Sequence, residues 1–241
     1  MAYKAVVFDM GDVLFSWNPQ ASTKVSAQML LRSITKCALW NDFERGAIDT
    51  KSCYQELGQM FSIAPEEIAA TFAQTTGSLQ PNESMTGLIR DIKRRKKTSV
   101  YMMTNIPRPD FDRLRATEYV WDHFDGIFAS GYEGMRKPDL SFYQHVQDKI
   151  GYSPERILFI DDKLENVTAA RELGWGALEC RDVEETCRQV RSLVNLGTAV
   201  WINQGVSRCC HAIGHSSSIS FASRLLDSCR TKLLSIWRNF T

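Results

Sequence analysis

Short apolar runs, each bounded by polar or turn-forming residues, recur along the chain at Ala5 to Phe8, Ser99 to Met103, Gly126 to Ala129, Ile157 to Ile160 and Ala177 to Cys180. Runs of this length that do not alternate with polar residues predict strands buried on both faces. Helical patterns separate the later runs. This rhythm predicts an α/β fold, a Rossmann-like parallel sheet with helices on both faces. Ligands of such sheets sit at the carboxyl ends of the strands, so the residues just after each run matter most. They are Asp9 after the first run, Thr104 and Asn105 after the second, and Asp161 with Asp162 after the fourth.

Between the first two strands the pattern turns helical, as in "SAQMLLRSITKCALW", "TKSCYQELGQMF" and "APEEIAATFAQTTGSL". Ser62 or Ala64, followed by Pro65, Glu66 and Glu67, predicts a helix start with acids in its first turn. A crossover between parallel strands takes a dozen or so residues, so this stretch reads as an inserted all-helical cap over residues 16–81. The core domain is then 1–15 with 82–198. Residues 199–241 form a divergent basic extension, in which Phe221, Leu225, Leu226, Cys229, Leu233, Leu234, Trp237 and Phe240 fall on one helical face. Such a helix over 220–240 either packs on a protein surface or lies on a membrane surface.

Composition narrows the class. At 241 residues and 44% hydrophobic the chain can bury a substantial core, and a net charge of +1 gives no whole-chain case for nucleic-acid binding. The N-terminal apolar run is only strand-length and ends in an acid, and no segment reaches about 18 uninterrupted apolar residues, so neither a signal peptide nor a transmembrane segment is expected. Seven cysteines, an odd number in a chain too large to need staples, favour free thiols and a cytoplasmic location. "CCHAIGH" (Cys209 to His215) lacks the C-x2-C spacing of a zinc site. The basic run "KRRKK" (Lys93 to Lys97) reads either as an anion patch or, more plainly, as a solvated helix end whose cations complement the dipole.

An aspartate ending a buried strand is costly unless paired or bound to a metal. Further carboxylates at the same sheet edge call for Mg2+, which prefers hard oxygen ligands. One carboxylate can then attack phosphorus. The phosphoryl oxygens need donors and a cation, which Thr104, Asn105 and Lys137 can supply. Lys137 precedes Pro138, expected to start the helix "DLSFYQHVQDKI" and so to place the cation beside a helix N-terminus. The pair Asp161-Asp162 has a second reading, since Asp162 with Glu165 forms a capping-box pattern.

With these motifs in order, the chain resembles the haloacid dehalogenase superfamily over about residues 4–185. The matches are "FDMGDVL", "MMTN", "GMRKPD" and "FIDDKLEN", and the helical insertion is similar to the cap of one phosphatase branch. The phrases "GDVLFSW" and "GMRKPDLSFYQHV…DDKLENV" also resemble fungal members associated with drimane-type terpenoid pathways. The resemblance implies Asp9 as nucleophile, Thr104 and Asn105 as phosphoryl ligands, and Lys137 as the stabilising cation. It further implies Mg2+ held by Asp9, Asp161, Asp162 and the carbonyl of Gly11, with Asn166 orienting the acidic loop.

One position departs from that pattern. Phosphatases of the superfamily carry a second aspartate two residues after the nucleophile, where it protonates the leaving group; here that residue is Gly11, and Asp12 follows it. General acid catalysis contributes about 100- to 10,000-fold, so its loss favours substrates with good leaving groups, such as a prenyl diphosphate, a prenyl monophosphate or a sugar phosphate. Asp12 and Glu44 of "DFERG" are the candidate substitutes; their plainer readings are a turn residue and a cap ion pair. Other functions stay open. "DDKLE" also fits the diphosphate-binding pattern of terpene cyclases, with "DFD" at Asp110 to Asp112 as the nearest acid motif, so a sesquiterpene cyclase or a fragment of one is an alternative. Carbon-halogen cleavage and a non-catalytic binding module complete the set.

Overall fold

The computed structural model describes residues 2–16 and 32–196. The expected helix over 220–240, the "CCHAIGH" cluster and the first part of the helical pattern from Ser26 lie outside the described residues.

The chain opens with β1 (Ala5–Phe8) and, after a turn, β2 (Phe15–Ser16). Helices α1 (Ala38–Glu44), α2 (Thr50–Phe61) and α3 (Pro65–Gly77) follow, and then β3 (Gln80–Pro81). β3 pairs antiparallel with β2, so the helical insertion leaves and returns through a two-stranded stem. The rest alternates: α4 (Glu83–Arg95), β4 (Ser99–Thr104), α5 (Arg108–Arg115), β5 (Gly126–Ala129), α6 (Ser130–Glu133), α7 (Leu140–Ile150), β6 (Ile157–Asp161), α8 (Leu164–Glu172), β7 (Gly176–Glu179) and α9 (Val183–Leu193). Five strands form one parallel sheet in the order β5-β4-β1-β6-β7. This is the Rossmann-like α/β architecture that the apolar runs predict.

Strand periodicity divides the core between the two faces of that sheet. Val6 and Phe8 pack in one cluster with Leu88, Ile89 and Ile92 of α4 and Val190 of α9. Ala5 and Val7 pack in the other with Phe142, Tyr143 and Val146 of α7 and Val167 of α8. A third cluster belongs to the insertion: Trp40, Phe43, Cys53, Tyr54, Leu57, Ile68 and Phe72 are buried together. Within it Trp40 stacks on Phe72 at 4.2 Å between ring centroids.

Local chemistry sets the helix ends. Asp49 caps α2 by accepting the amides of Lys51 and Ser52. Ser62, in the left-handed region at φ 55°, ends α2, so Ala64 and not Ser62 precedes α3, with Pro65 in the first turn. The basic run closes α4: Lys93 pairs with Asp125 at 2.6 Å, Arg94 with Asp91 at 2.7 Å, and Arg95 donates to the carbonyl of Asn195 at 2.9 Å. Lys93, Arg94 and Arg95 are thus engaged by neighbouring groups at the end of α4. Among the described residues no helix is long and apolar enough to cross a membrane.

Candidate active site

β1 lies between β4 and β6 in the sheet. That order alone places Asp9, after β1, between Thr104 at the end of β4 and Asp161 at the end of β6. The amide of Asp9 donates to the carbonyl of Ile160 at 2.8 Å, which carries the ladder one residue beyond the strand. Asp9, Thr104, Lys137, Asp161 and Asn166 are all buried. Buried polar groups require partners, and most of theirs are each other.

Lys137 is 1% exposed; its Nζ stands 2.5 Å from Asp9 Oδ1 and 2.6 Å from Asp161 Oδ2. Asn166 Nδ2 donates to both carboxylate oxygens of Asp161, at 2.9 and 3.1 Å, and the amide of Lys163 adds a bond of 2.9 Å. The Tyr143 hydroxyl in turn donates to the Asn166 carbonyl at 2.9 Å. Asn166 thus holds the Asp161 carboxylate through both of its oxygens.

Asn105 has a different engagement from a side chain free to meet a phosphoryl group. Its Nδ2 donates to the Lys137 carbonyl and its Oδ1 accepts the Lys137 amide, both at 2.8 Å. It holds the backbone on either side of the lysine. Pro138 does not start the helix: the Lys137-Pro138 peptide is cis and α7 begins only at Leu140, with Asp139 as its N-cap residue, so Lys137 lies two residues before the cap. The ion pairs and Asn105 place this lysine, not a helix end. The capping-box reading of Asp162 likewise fails, because Lys163 is the N-cap residue of α8 and no side chain caps that helix.

The Asp9 carboxyl is pushed up to about 7, chiefly by burial; Lys137 pulls against the rise, and the carboxylates of Asp161 and Asp162 add to it. Burial also works against the charge of Lys137, but Asp161 and Asp9 outweigh it and hold the ammonium above the ordinary lysine range. Asp162 is raised to about 6 by burial and by Asp161 beside it. One lysine therefore faces three acids. Asp9, Asp161 and Asp162 each offer a carboxylate oxygen, and these atoms all lie within 4.8 Å of one another. Hard oxygen donors converging in excess of their countercharge fit Mg2+.

Asp12 is exposed and lies in the left-handed region at φ 55°, a conformation that aspartate tolerates in turns. Its amide donates to the Phe15 carbonyl at 2.8 Å. Partial burial raises its carboxyl against the pull of Lys163. These are the features of a turn residue. Glu44 is engaged as well: Trp40 Nε1 donates to its Oε1, and Arg136 Nε to its Oε2, both at 3.0 Å. In the "DFD" stretch Asp110 pairs with Arg113 at 2.9 Å and Asp112 accepts the Tyr132 hydroxyl.

Ser130, fully buried, is the residue that the strand-end reading passed over. It follows β5, accepts the Ile106 amide at 2.8 Å and donates to the Glu44 carbonyl at 2.7 Å, joining the second strand's loop to the insertion. Reading the end of the third apolar run by the same rule would have found it. Tyr143 and the partners of Glu44 carry no comparable local signal.

Comparison with known proteins bears on the fold and the family. A sesquiterpene phosphatase of Aspergillus oryzae, astK, is 52% identical over 192 residues, which is 80% of this chain and 97% of that protein. A drimenol cyclase of Aspergillus calidoustus is 35% identical over 192 residues, and there the match covers only 36% of the relative's length. Among solved structures, a haloacid dehalogenase family enzyme of Bacteroides thetaiotaomicron in complex with magnesium and inorganic phosphate superposes with a TM-score of 0.60 at 20% identity, over 76% of this chain and 98% of that one. The L-2-haloacid dehalogenase of Xanthobacter autotrophicus gives 0.59 at 19% identity, over 79% and 83%. These likenesses show the fold. Residues 3–174 match the haloacid dehalogenase-like hydrolase family model, and with the sequence relatives this establishes that the chain belongs to the haloacid dehalogenase-like hydrolases.

Proposed function

We propose that the chain is a Mg2+-dependent phosphatase that removes phosphate from a terpenoid phosphate through phosphorylated Asp9. The observation that carries this reading is the cluster of Asp9, Asp161 and Asp162 within 4.8 Å, with Lys137 at 2.5 Å from Asp9. The near full-length likeness to a sesquiterpene phosphatase supports the substrate class.

In this mechanism the Asp9 carboxylate attacks phosphorus and forms an acyl phosphate, while the bond to the leaving oxygen breaks and that oxygen keeps the electron pair. Water then attacks the acyl phosphate, releasing inorganic phosphate and restoring Asp9. Lys137 neutralises charge on the transferring group, and Thr104 with the Asn105 backbone supplies hydrogen bonds. Asp9, Asp161, Asp162 and the Gly11 carbonyl would hold Mg2+, which as a Lewis acid would offset the phosphoryl charge. Asn166 holds Asp161, and residues 16–81 form the cap.

Gly11 supplies no proton, Asp12 sits in a turn and Glu44 is ion-paired. The leaving group must therefore depart with little help. A prenyl diphosphate meets this condition, since attack on the terminal phosphorus releases a prenyl monophosphate whose oxygen is already a weak base. A cyclase reading gains little from the site, because the acids of the "DFD" stretch are engaged by Arg113 and Tyr132.

The test is phosphate release from prenyl monophosphates, prenyl diphosphates and sugar phosphates, with and without Mg2+, beside Asp9→Asn. The expected result is Mg2+-dependent release, fastest from a prenyl substrate and lost in the variant. No release from any of them overturns the reading.

A further inference from the structure

The loop that carries Lys137 is gripped on both sides by the end of α1. Arg136, just before the lysine, places Nε 3.0 Å from Glu44 Oε2. Asp139, two residues after it, accepts Arg45 Nη2 at 2.8 Å. Between these ties the backbone of Lys137 is bound to Asn105 through both its amide and its carbonyl. The segment 136–139 is thus held outside by two consecutive residues of the helical insertion, and inside by the loop after β4.

Glu44 itself is anchored at three atoms. Trp40 donates to one carboxylate oxygen and Arg136 to the other, while the Ser130 hydroxyl donates to the backbone carbonyl. Ser130 also accepts the amide of Ile106, the residue after Asn105. The corner is tightly seated. Gly46 has φ 70°, and a Cβ there would stand 2.7 Å from the Gly131 carbonyl oxygen, so only glycine lets the chain pass this close.

Exposure separates the two ion pairs. The side chains of Glu44 and Arg136 are only 12% and 17% exposed, whereas Arg45 and Asp139 are 30% and 45% exposed. Solvent screens the second pair more strongly. Glu44 is therefore the stronger hold.

We infer that Glu44, aided by Arg45, is a positioning residue for Lys137: the seated corner of the cap fixes the 136–139 loop so that the ammonium reaches Asp9. The corner then adds to the hold that Asn105 and the two carboxylates already have on the lysine. The catalytic consequence rests on the phosphatase reading; the structural consequence does not. Glu44 acts here through Arg136 and not as a proton donor.

The experiment uses full-length Glu44→Gln, Arg136→Gln, the double variant and Arg136→Lys. Hydrogen–deuterium exchange of the 134–139 amides is measured alongside Mg2+-dependent turnover of the best substrate from the panel above. Each glutamine variant should exchange faster in 134–139, with residues 53–72 still protected. Turnover should fall about tenfold with KM nearly unchanged, as expected when a transition-state contact is misplaced. The double variant should be no worse than either single one, and Arg136→Lys should recover part of the loss. Unchanged exchange in 134–139 overturns the inference, as does unchanged kcat in an active protein. If wild type releases phosphate from nothing, the phosphatase reading fails and the exchange data alone decide whether the corner holds the loop.

Discussion

Replacing Lys137 by methionine tests how the site is balanced. The lysine is 1% exposed and lies within 2.6 Å of two carboxylates whose side chains are 11% and 0% exposed. Methionine keeps most of the volume and removes the only countercharge in contact with Asp9 and Asp161 among the described residues. Breaking a buried pair by deleting one partner costs about 3 to 5 kcal/mol. In a chain of this size that corresponds to a fall in melting temperature of about 6 to 20 °C, at about 2 to 4 °C for each kcal/mol. The loss must depend on pH. Asp9 already titrates near 7, raised by burial from 3.8, and removing the ammonium raises it further. A folded-state pKa above the unfolded one gives stability that is complete below the unfolded value and is lost as pH rises through the folded value. The variant's loss should therefore be smaller at pH 5, where Asp9 holds its proton and the broken pair with Asp161 remains, and greatest at pH 8 in metal-free buffer. Added Mg2+ should restore part of the difference by binding only the folded state. The assay is urea unfolding at both pH values, with EDTA or with Mg2+. An equal loss at pH 5 and pH 8, or no loss at pH 8, refutes the reasoning.

Three further outcomes follow from other parts of the molecule. Wild-type turnover of aryl phosphates should fall steeply as leaving-group pKa rises, and Gly11→Asp should flatten that slope and raise turnover of the poorest leaving groups by up to about 100-fold; a flat wild-type slope counts against the missing-acid argument. Asn166→Ala removes the donor to both oxygens of Asp161 and should cost about 1 to 3 kcal/mol by chemical unfolding, with Mg2+ affinity falling about 10- to 100-fold by calorimetry. Asp110 is raised above 3.8 by burial in spite of Arg113, so its contribution is greatest below about pH 4 and declines as pH rises. Asp110→Asn should accordingly gain stability on wild type between pH 4 and pH 8 in thermal melts, and a variant that tracks wild type across that range would show the carboxylate to be fully compensated.

Much of the site is legible in the chain because strand ends are a local signal. A buried run that stops at an acid announces both the strand and the cost of its terminus, and Asp9 and Asp161 are found in this way. The parallel order then needs only βαβ logic to bring them to one edge. The strand limits drift by one residue, since backbone pairing carries β4 through Thr104 and β6 through Asp161 after hydrophobicity has ended. Capping signals are weaker. Pro138 reads as a helix start and Asp162 as a cap, yet α7 starts at Leu140 and Asp162 makes no cap; the demands of the site override local propensity at both places.

The sequence by itself determined the α/β class, the convergence of Asp9, Thr104 and the Asp161-Asp162 pair on one sheet edge, and the absence of an acid at Gly11, because each depends on residue type and near-neighbour pattern. Tertiary structure alone decided what Asn105, Ser130 and Glu44 do. The partners that decide these roles lie 24 to 92 residues away along the chain, and only folding brings such groups within hydrogen-bond range. A side chain's chemistry is written at its own position. Its partner, and so whether it meets substrate or holds a loop, is set by packing.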